Sequence, residues 1–191
     1  MVSLDVTQLF TNVPVPLVLG FFKQKFEAQA FTLPDGMHID TLIRLVSVCC
    51  KHTVFKFNSK YYEQTRGCSM GSPLSVILAN LAMEIIETQF MPLIPMSMAF
   101  YSRFIDDYFI VWEHTHEEFE TFVSHLNLLI PSIKFTFEWE VFNLISHEAT
   151  LPYLDLLVHC KPTGPQFSVY RKPTHALTYI HYLSQHPPSQ K

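Results

Sequence analysis

No basic excess marks this 191-residue chain. Thirteen lysines and arginines stand against 17 aspartates and glutamates, a formal net charge of −4. No global positive field therefore points to a nucleic-acid or membrane partner. Cysteine is sparse: Cys49, Cys50, Cys68 and Cys160 include no C-x-x-C pair. That argues for buried or free thiols in a reducing compartment and against a zinc site. No secretory leader is legible, because Met1 to Leu4 run directly into the carboxylate Asp5. The uncharged stretch from Gly67 to Met83 is broken by glycine, proline, serine and asparagine and falls short of the ~18 apolar residues of a spanning helix. There is no internal repeat and no low-complexity segment.

What is present is an apolar, aromatic chain. It is 48% hydrophobic and 16% charged, which suits one domain or two closely packed lobes with a real core. Aromatic residues, at 14%, can offset the entropy of ordering the chain. The chain opens on a strand pattern and ends on the breaker-rich "HPPSQK", as expected of a piece cut from a longer protein.

Hydrophobic periodicity gives the element order. Val2 to Val6 reads as a short buried strand and "LFTNVP" as a loop. Helical spacing runs from Leu17 to about Phe31, and again beyond Asp40, a candidate cap. "TVFKF" and "KYYEQ" flank Asn58–Ser59 as a hairpin. Ser72 and Pro73 suit the cap and first position of a helix that is apolar nearly all round to Glu84 and should be buried. Strands are expected at 98–104 and 108–112. A capping box, Thr115 with Glu118, then opens a helix with Phe119, Phe122, Val123, Leu126 and Ile130 on one face. "IKFTFEWE", "LPYLDLLVHC" and "QFSVYRK" read as three strands. The pattern predicts an α+β fold with an antiparallel sheet covered by helices on one face.

"FIDDYFIV" places Asp106 and Asp107 between aromatic and β-branched residues. A tight turn explains the pair by itself, since turns favour aspartate. Asp5, however, has the same setting at the end of "VSLDV". Carboxylates crowded at strand ends repel unless neutralised. A divalent metal does this, and Mg2+ takes hard oxygen ligands, commonly one or two carboxylates plus substrate phosphates. Paired metals of this kind serve nucleotidyl transfer. Such a site requires the fold to bring Asp5 and Asp106 together from distant parts of the chain.

In order along the chain stand "SLDVTQLFTNVP", "GCSMGSPLSVILAN", "FIDD", "IKFTFE", "LPYLDLLV" and "VYRKPTHALTYIHYLSQHPPSQK". Together they resemble the palm-domain motifs of reverse transcriptases, most closely those of Penelope-like retroelements, relatives of telomerase. The resemblance implies a partial right-hand polymerase. Residues 1–160 would form its palm, and 161–191 the palm end leading toward a thumb; fingers, thumb and an endonuclease region would belong to the parent polypeptide. It implies an RNA-directed DNA polymerase, a nucleotidyltransferase of retrotransposon replication that joins a dNTP to a primer 3′-hydroxyl. Two Mg2+ ions would assist, with Mn2+ as a substitute. RNA template and DNA primer are the implied partners, no membrane is, and the implied setting is intracellular and nuclear. The isolated piece is expected to be inactive.

Site roles follow from the same resemblance. Asp5 and Asp106 match the metal-binding aspartates, Asp107 the adjacent one, and Val6 would offer its carbonyl to a metal. Phe10 matches the residue that excludes a ribose 2′-hydroxyl, although it also suits the core. Gly71, Ser72 and Pro73 match the turn that meets the nucleotide. Lys134 matches a lysine that protonates the leaving pyrophosphate, although a solvated strand lysine looks the same. Leu154 and Asp155 match the primer-gripping hairpin. Arg171 and Lys172 suit phosphate contact or ordinary surface charge. Phe104 and Met70 stand where many relatives have tyrosine and glutamine, and Val76 where proline is common; none removes a proposed ligand. An inactive nucleic-acid-binding remnant and another two-metal phosphoryl-transfer enzyme, such as a nuclease, are the alternatives.

Overall fold

A computed structural model describes residues 1–29, 32–90, 98–174, 180–181 and 183–187. The chain divides into two units, Met1–Trp139 and Glu140–Lys191. The first contains β1 (Val2–Val6), α1 (Leu9–Asn12), α2 (Val15–Ala28), a 3-10 turn (Pro34–Gly36), α3 (Ile39–Lys51), β2 (Val54–Phe57), β3 (Lys60–Glu63), α4 (Pro73–Phe90), β4 (Phe100–Phe104), β5 (Asp107–Val111), α5 (His116–Leu129) and β6 (Phe135–Trp139). The second contains β7 (Val141–Asn143), β8 (Glu148–Tyr153), β9 (Leu156–Lys161) and β10 (Gly164–Val169). Among the described residues, no helix is long and apolar enough to cross a membrane.

The first unit is built on a four-stranded antiparallel sheet in the order β4-β5-β1-β6. Alternation assigns its faces. Val2, Leu4 and Val6 of β1, Tyr108 and Ile110 of β5 and Phe135 of β6 are buried on one face. Packed with them are Leu78, Ala82, Met83, Ile85 and Ile86 of α4 and Phe119, Phe122, Val123 and Leu126 of α5. Ser3, Asp5, Asp107, Phe109, Thr136 and Glu138 occupy the other face, none of them buried. The expected one-sided sheet is therefore observed. In the second unit β7 to β10 form an antiparallel meander over Ala149, Leu151 and Val158.

Local chemistry explains most boundaries. The Asn58–Ser59 link has φ of 51° and 62°, both left-handed, as a two-residue hairpin turn requires. Pro73 opens α4, where its missing N–H costs no helix bond. Thr115 and Glu118 form the reciprocal capping box at the start of α5.

Five expectations need correction. "LFTN" is a short helix, not a loop. The cap of α3 is His38, whose Nδ1 accepts from the Asp40 N–H; Asp40 lies in the first turn, bonded to Lys23 at 2.7 Å. "LPYLDLLVHC" is two strands joined at Leu154–Asp155. Near the start of α4, Val76 and Ile77 are exposed, so the helix is not buried all round. The helix expected to reach Phe31 ends at Ala28; residues 30 and 31 lie outside the described residues, as does His175.

Gly67 fastens the loop before α4. Its φ is +67°, and a Cβ there would lie 2.4 Å from the Thr11 carbonyl atoms and 2.5 Å from the Phe10 oxygen. The next residue, Cys68, donates its N–H to that oxygen at 2.7 Å. Gly67→Ala should lower stability by about 2–5 kcal/mol, combining left-handed backbone cost with overpacking. Gly71, with φ +91° and nothing within 4 Å of its Cβ position, should cost only about 1–2 kcal/mol on the same change. Urea unfolding of both variants measures the difference, and equal losses would contradict the close approach.

The thiols give a second test. All four cysteines are free. Burial, aided by neighbouring Cys50, pushes the Cys68 thiol up to about 12, so it stays protonated and unreactive at pH 8. Cys49 and Cys160 are exposed and should alkylate first, with Cys68 labelled only on unfolding. Early labelling of Cys68 in the folded protein would contradict its burial.

Candidate active site

The β1–β5 register pairs Val2 with Ile110, Leu4 with Tyr108 and Asp5 with Asp107. The first two pairs are buried, and they fix the third: a slip of one residue in either strand would turn that strand's apolar side chains out of the core and its aspartate toward it. The Val6 N–H donates to the Asp106 carbonyl at 3.3 Å. Asp5 and Asp107 therefore occupy the alternate, non-hydrogen-bonded position, where facing Cα atoms are about 4.5 Å apart and side chains closest. Like charges directly opposite are destabilising, so the fold holds this pair together against its own repulsion. Asp5 is exposed, and Asp106 and Asp107 are half-buried.

Asp106 sits at the tip of the β4–β5 hairpin. Phe104 pairs with Asp107, leaving Ile105–Asp106 as a two-residue link. Ile105 has φ 54°, a left-handed conformation that costs a β-branched residue about 1–3 kcal/mol. The surrounding structure must therefore impose it.

Arg103 does so from the buried face. Its Nε donates to Glu87 Oε1 at 2.6 Å and its Nη2 to Glu87 Oε2 at 3.1 Å. Its Nη1 donates to Asn80 Oδ1 at 2.9 Å and to the Ile105 carbonyl at 3.0 Å. The Tyr108 hydroxyl completes the set, donating to Glu87 Oε1 at 3.0 Å. Two α4 side chains, Asn80 and Glu87, are thus tied through one guanidinium to the backbone of the strained turn. Burial, with the Glu87 carboxylate beside it, pushes the Tyr108 phenol well above its ordinary range and keeps the donor protonated. Burial opposes the charge on Arg103, but its bonds to Glu87, together with the nearby Tyr108 and Glu84, hold the guanidinium raised. Sequence reading missed this network. Its residues lie on separate elements, and single charges read as solvated surface.

The other candidate residues lie elsewhere in the first unit or in the second. Phe10 is half-buried against the core, and its carbonyl accepts from Cys68. Gly71 is exposed, the Ser72 carbonyl accepts from the Ser75 N–H at 3.0 Å, and Pro73 begins α4. The Lys134 carbonyl accepts from the Thr7 N–H at 2.8 Å, two residues beyond Asp5. Its ammonium turns away to the Asn127 carbonyl in the last turn of α5. Leu154 and Asp155 form the β8–β9 turn of the second unit, with Leu154 at φ 53°. Arg171 and Lys172 are exposed in the same unit. His116 stacks on Trp139, with ring centroids 3.9 Å apart.

The donors suit a hard cation. Three carboxylates and the Val6 carbonyl are oxygen ligands of the class Mg2+ takes. Among the described residues no three His, Cys, Asp or Glu side chains are gathered as a ready-made cage.

Residues 1–154 match the family model described as reverse transcriptase (RNA-dependent DNA polymerase). No curated protein sequence matches the chain. Among solved structures the fold is similar to apo telomerase from Candida tropicalis, truncated from its C-terminal domain, with a TM-score of 0.63 at 10% identity. The match covers 87% of this chain and 35% of that one, so the chain spans about a third of its length.

The Arg103 network predicts coupled losses. Arg103→Ala and Glu87→Gln should each lower stability by about 2–4 kcal/mol, because each strands a partly buried charge. The double variant should lose about 1–3 kcal/mol less than the sum. Urea denaturation of the full cycle measures this, and additive losses would show that the two side chains do not act together.

Proposed function

Because this chain belongs to the reverse transcriptase (RNA-dependent DNA polymerase) family, we propose that it is the palm region of an RNA-directed DNA polymerase of a Penelope-like retroelement. The observation that carries the reading is the cross-strand placement of Asp5 opposite Asp107, with Asp106 at the adjoining tip. A polymerase needs acidic oxygens at one sheet edge, on a surface open to a primer and a triphosphate. The non-core face of the sheet offers that surface.

Asp5, Asp106 and the Val6 carbonyl would hold Mg2+, with Asp107 adding negative charge beside them. When bound, the ions would lower the charge barrier to attack of a primer 3′-hydroxyl on the α-phosphate of a dNTP. The protein's own part is positioning. Register fixes Asp5 and Asp107, and the Arg103 network fixes the turn that bears Asp106. Phe10, two residues after the left-handed Gln8, would bound the sugar pocket. Gly71, Ser72 and Pro73 would meet the nucleotide with backbone groups, and the exposed Met70 stands beside them. Lys134 would need to leave Asn127 to reach a leaving pyrophosphate. Leu154, Asp155, Arg171 and Lys172 would hold primer and template. A two-metal nuclease would use the same carboxylates, but the match over residues 1–154 is to a polymerase family. An inactive nucleic-acid-binding remnant is less well supported, since a chain of net charge −4 is poorly suited to binding phosphates by charge alone.

Primer extension on an RNA template tests the reading, using the chain joined to its parent fingers and thumb. Asp106→Ala should abolish Mg2+-dependent extension while the circular dichroism spectrum stays unchanged. Full extension by the variant would refute the role.

A further inference from the structure

The β2–β3 hairpin is the least covered element of the first unit. All eight of its strand residues are exposed. Five of them are large and apolar or aromatic: Val54, Phe55, Phe57, Tyr61 and Tyr62. Phe57 is 65% and Tyr61 74% exposed, values that water disfavours for rings unless something else covers them. The ring geometry is ordered. Phe55 and Tyr62 stack with centroids 5.5 Å apart and planes 18° from parallel. The Lys56 ammonium lies 5.6 Å from the centre of the Tyr61 ring.

Register sorts these side chains into two mixed faces. Phe55, Phe57, Lys60 and Tyr62 share one, and Val54, Lys56, Tyr61 and Glu63 the other. The first face thus carries three rings beside one ammonium, and the second one ring beside one ammonium and the Glu63 carboxylate. Charge is concentrated in the same place. Residues 51–66 hold Lys51, Lys56, Lys60 and Arg66 against Glu63 alone, in a chain whose net charge is −4. A protein partner would match the rings and would need an acidic surface of its own to use the basic excess. Single-stranded nucleic acid matches both, because bases offer π-faces to rings and phosphates offer negative charge to lysines.

We propose that the β2–β3 hairpin is a stacking platform for single-stranded nucleic acid. The rings receive unpaired bases and Lys56 and Lys60 hold the intervening phosphates. This stands on exposure, ring geometry and local charge, not on the carboxylates, so it and the polymerase reading fail separately.

Fluorescence anisotropy with labelled single-stranded RNA, single-stranded DNA and duplex DNA of one mixed sequence tests it at low salt. Wild type should bind the single strands more tightly than the duplex. Phe57→Ala/Tyr61→Ala should weaken single-strand binding about tenfold or more, with thermal unfolding unchanged because both side chains are exposed. Phe57→Leu/Tyr61→Leu keeps apolar surface without rings and should weaken it comparably. Lys56→Gln/Lys60→Gln should flatten the dependence of log K on log salt by about 1.4, the share of two phosphates. The proposal is overturned by absence of wild-type binding, by a preference for duplex, or by unchanged affinity in the alanine variant. It is overturned equally if the leucine variant binds like wild type, or if the aromatic substitutions abolish only self-association in sedimentation, which would make the hairpin an interface between copies of this chain.

Discussion

Two negative charges are held face to face across an antiparallel strand pair, and the local site depends on that constraint. Asp5 and Asp107 do not choose each other. Their opposition follows from Val2 with Ile110 and Leu4 with Tyr108, two buried pairs on the other face. The aliphatic side chains of those pairs each contribute about 1.5–3 kcal/mol on burial, together more than the repulsion between exposed Asp5 and half-buried Asp107 opposes. Core packing therefore sets the register, and the register sets the site.

The two sheet faces divide the work. One carries the aliphatic and aromatic contacts to α4 and α5, and the other carries the acidic oxygens. Arg103 links them, since its guanidinium joins Glu87 and Asn80 of α4 to the carbonyl of Ile105. The left-handed Ile105 is a local cost at the turn that bears Asp106. In the proposed polymerase, such rigidity would help, because oriented charge need not reorganise during a reaction.

Much of this was legible in the sequence, for reasons that can be named. Asn58–Ser59, Pro73 and the Thr115–Glu118 box are local signals, and each acts in the structure as its chemistry dictates. That Asp5 and the Asp106–Asp107 turn meet was legible only as a requirement: carboxylates ending two short apolar strands, which the register sets side by side. Non-local features were not. Glu87 and Arg103 are 16 residues apart on a helix and a strand, and nothing in either segment announces the other. Residue pattern alone hid the β8–β9 turn, because Leu154 takes a left-handed φ that such reading assigns to glycine or asparagine; the family resemblance marks Leu154 and Asp155 as a hairpin. The "LFTN" turn is too short to show a helical period. Val76 and Ile77 were expected inside because apolarity all round a helix ordinarily means burial; they lie on the exposed start of α4 instead.

Titration of the chain with Mn2+, followed by the loss of the free-ion paramagnetic signal, probes the three aspartates without requiring catalysis. If oxygens from β1 and the β4–β5 turn share one cation, wild type should show saturable binding, and Asp5→Asn should weaken it about tenfold or more. Superimposable isotherms for the two proteins would mean that Asp5 and the Asp106–Asp107 turn do not form a common cation site.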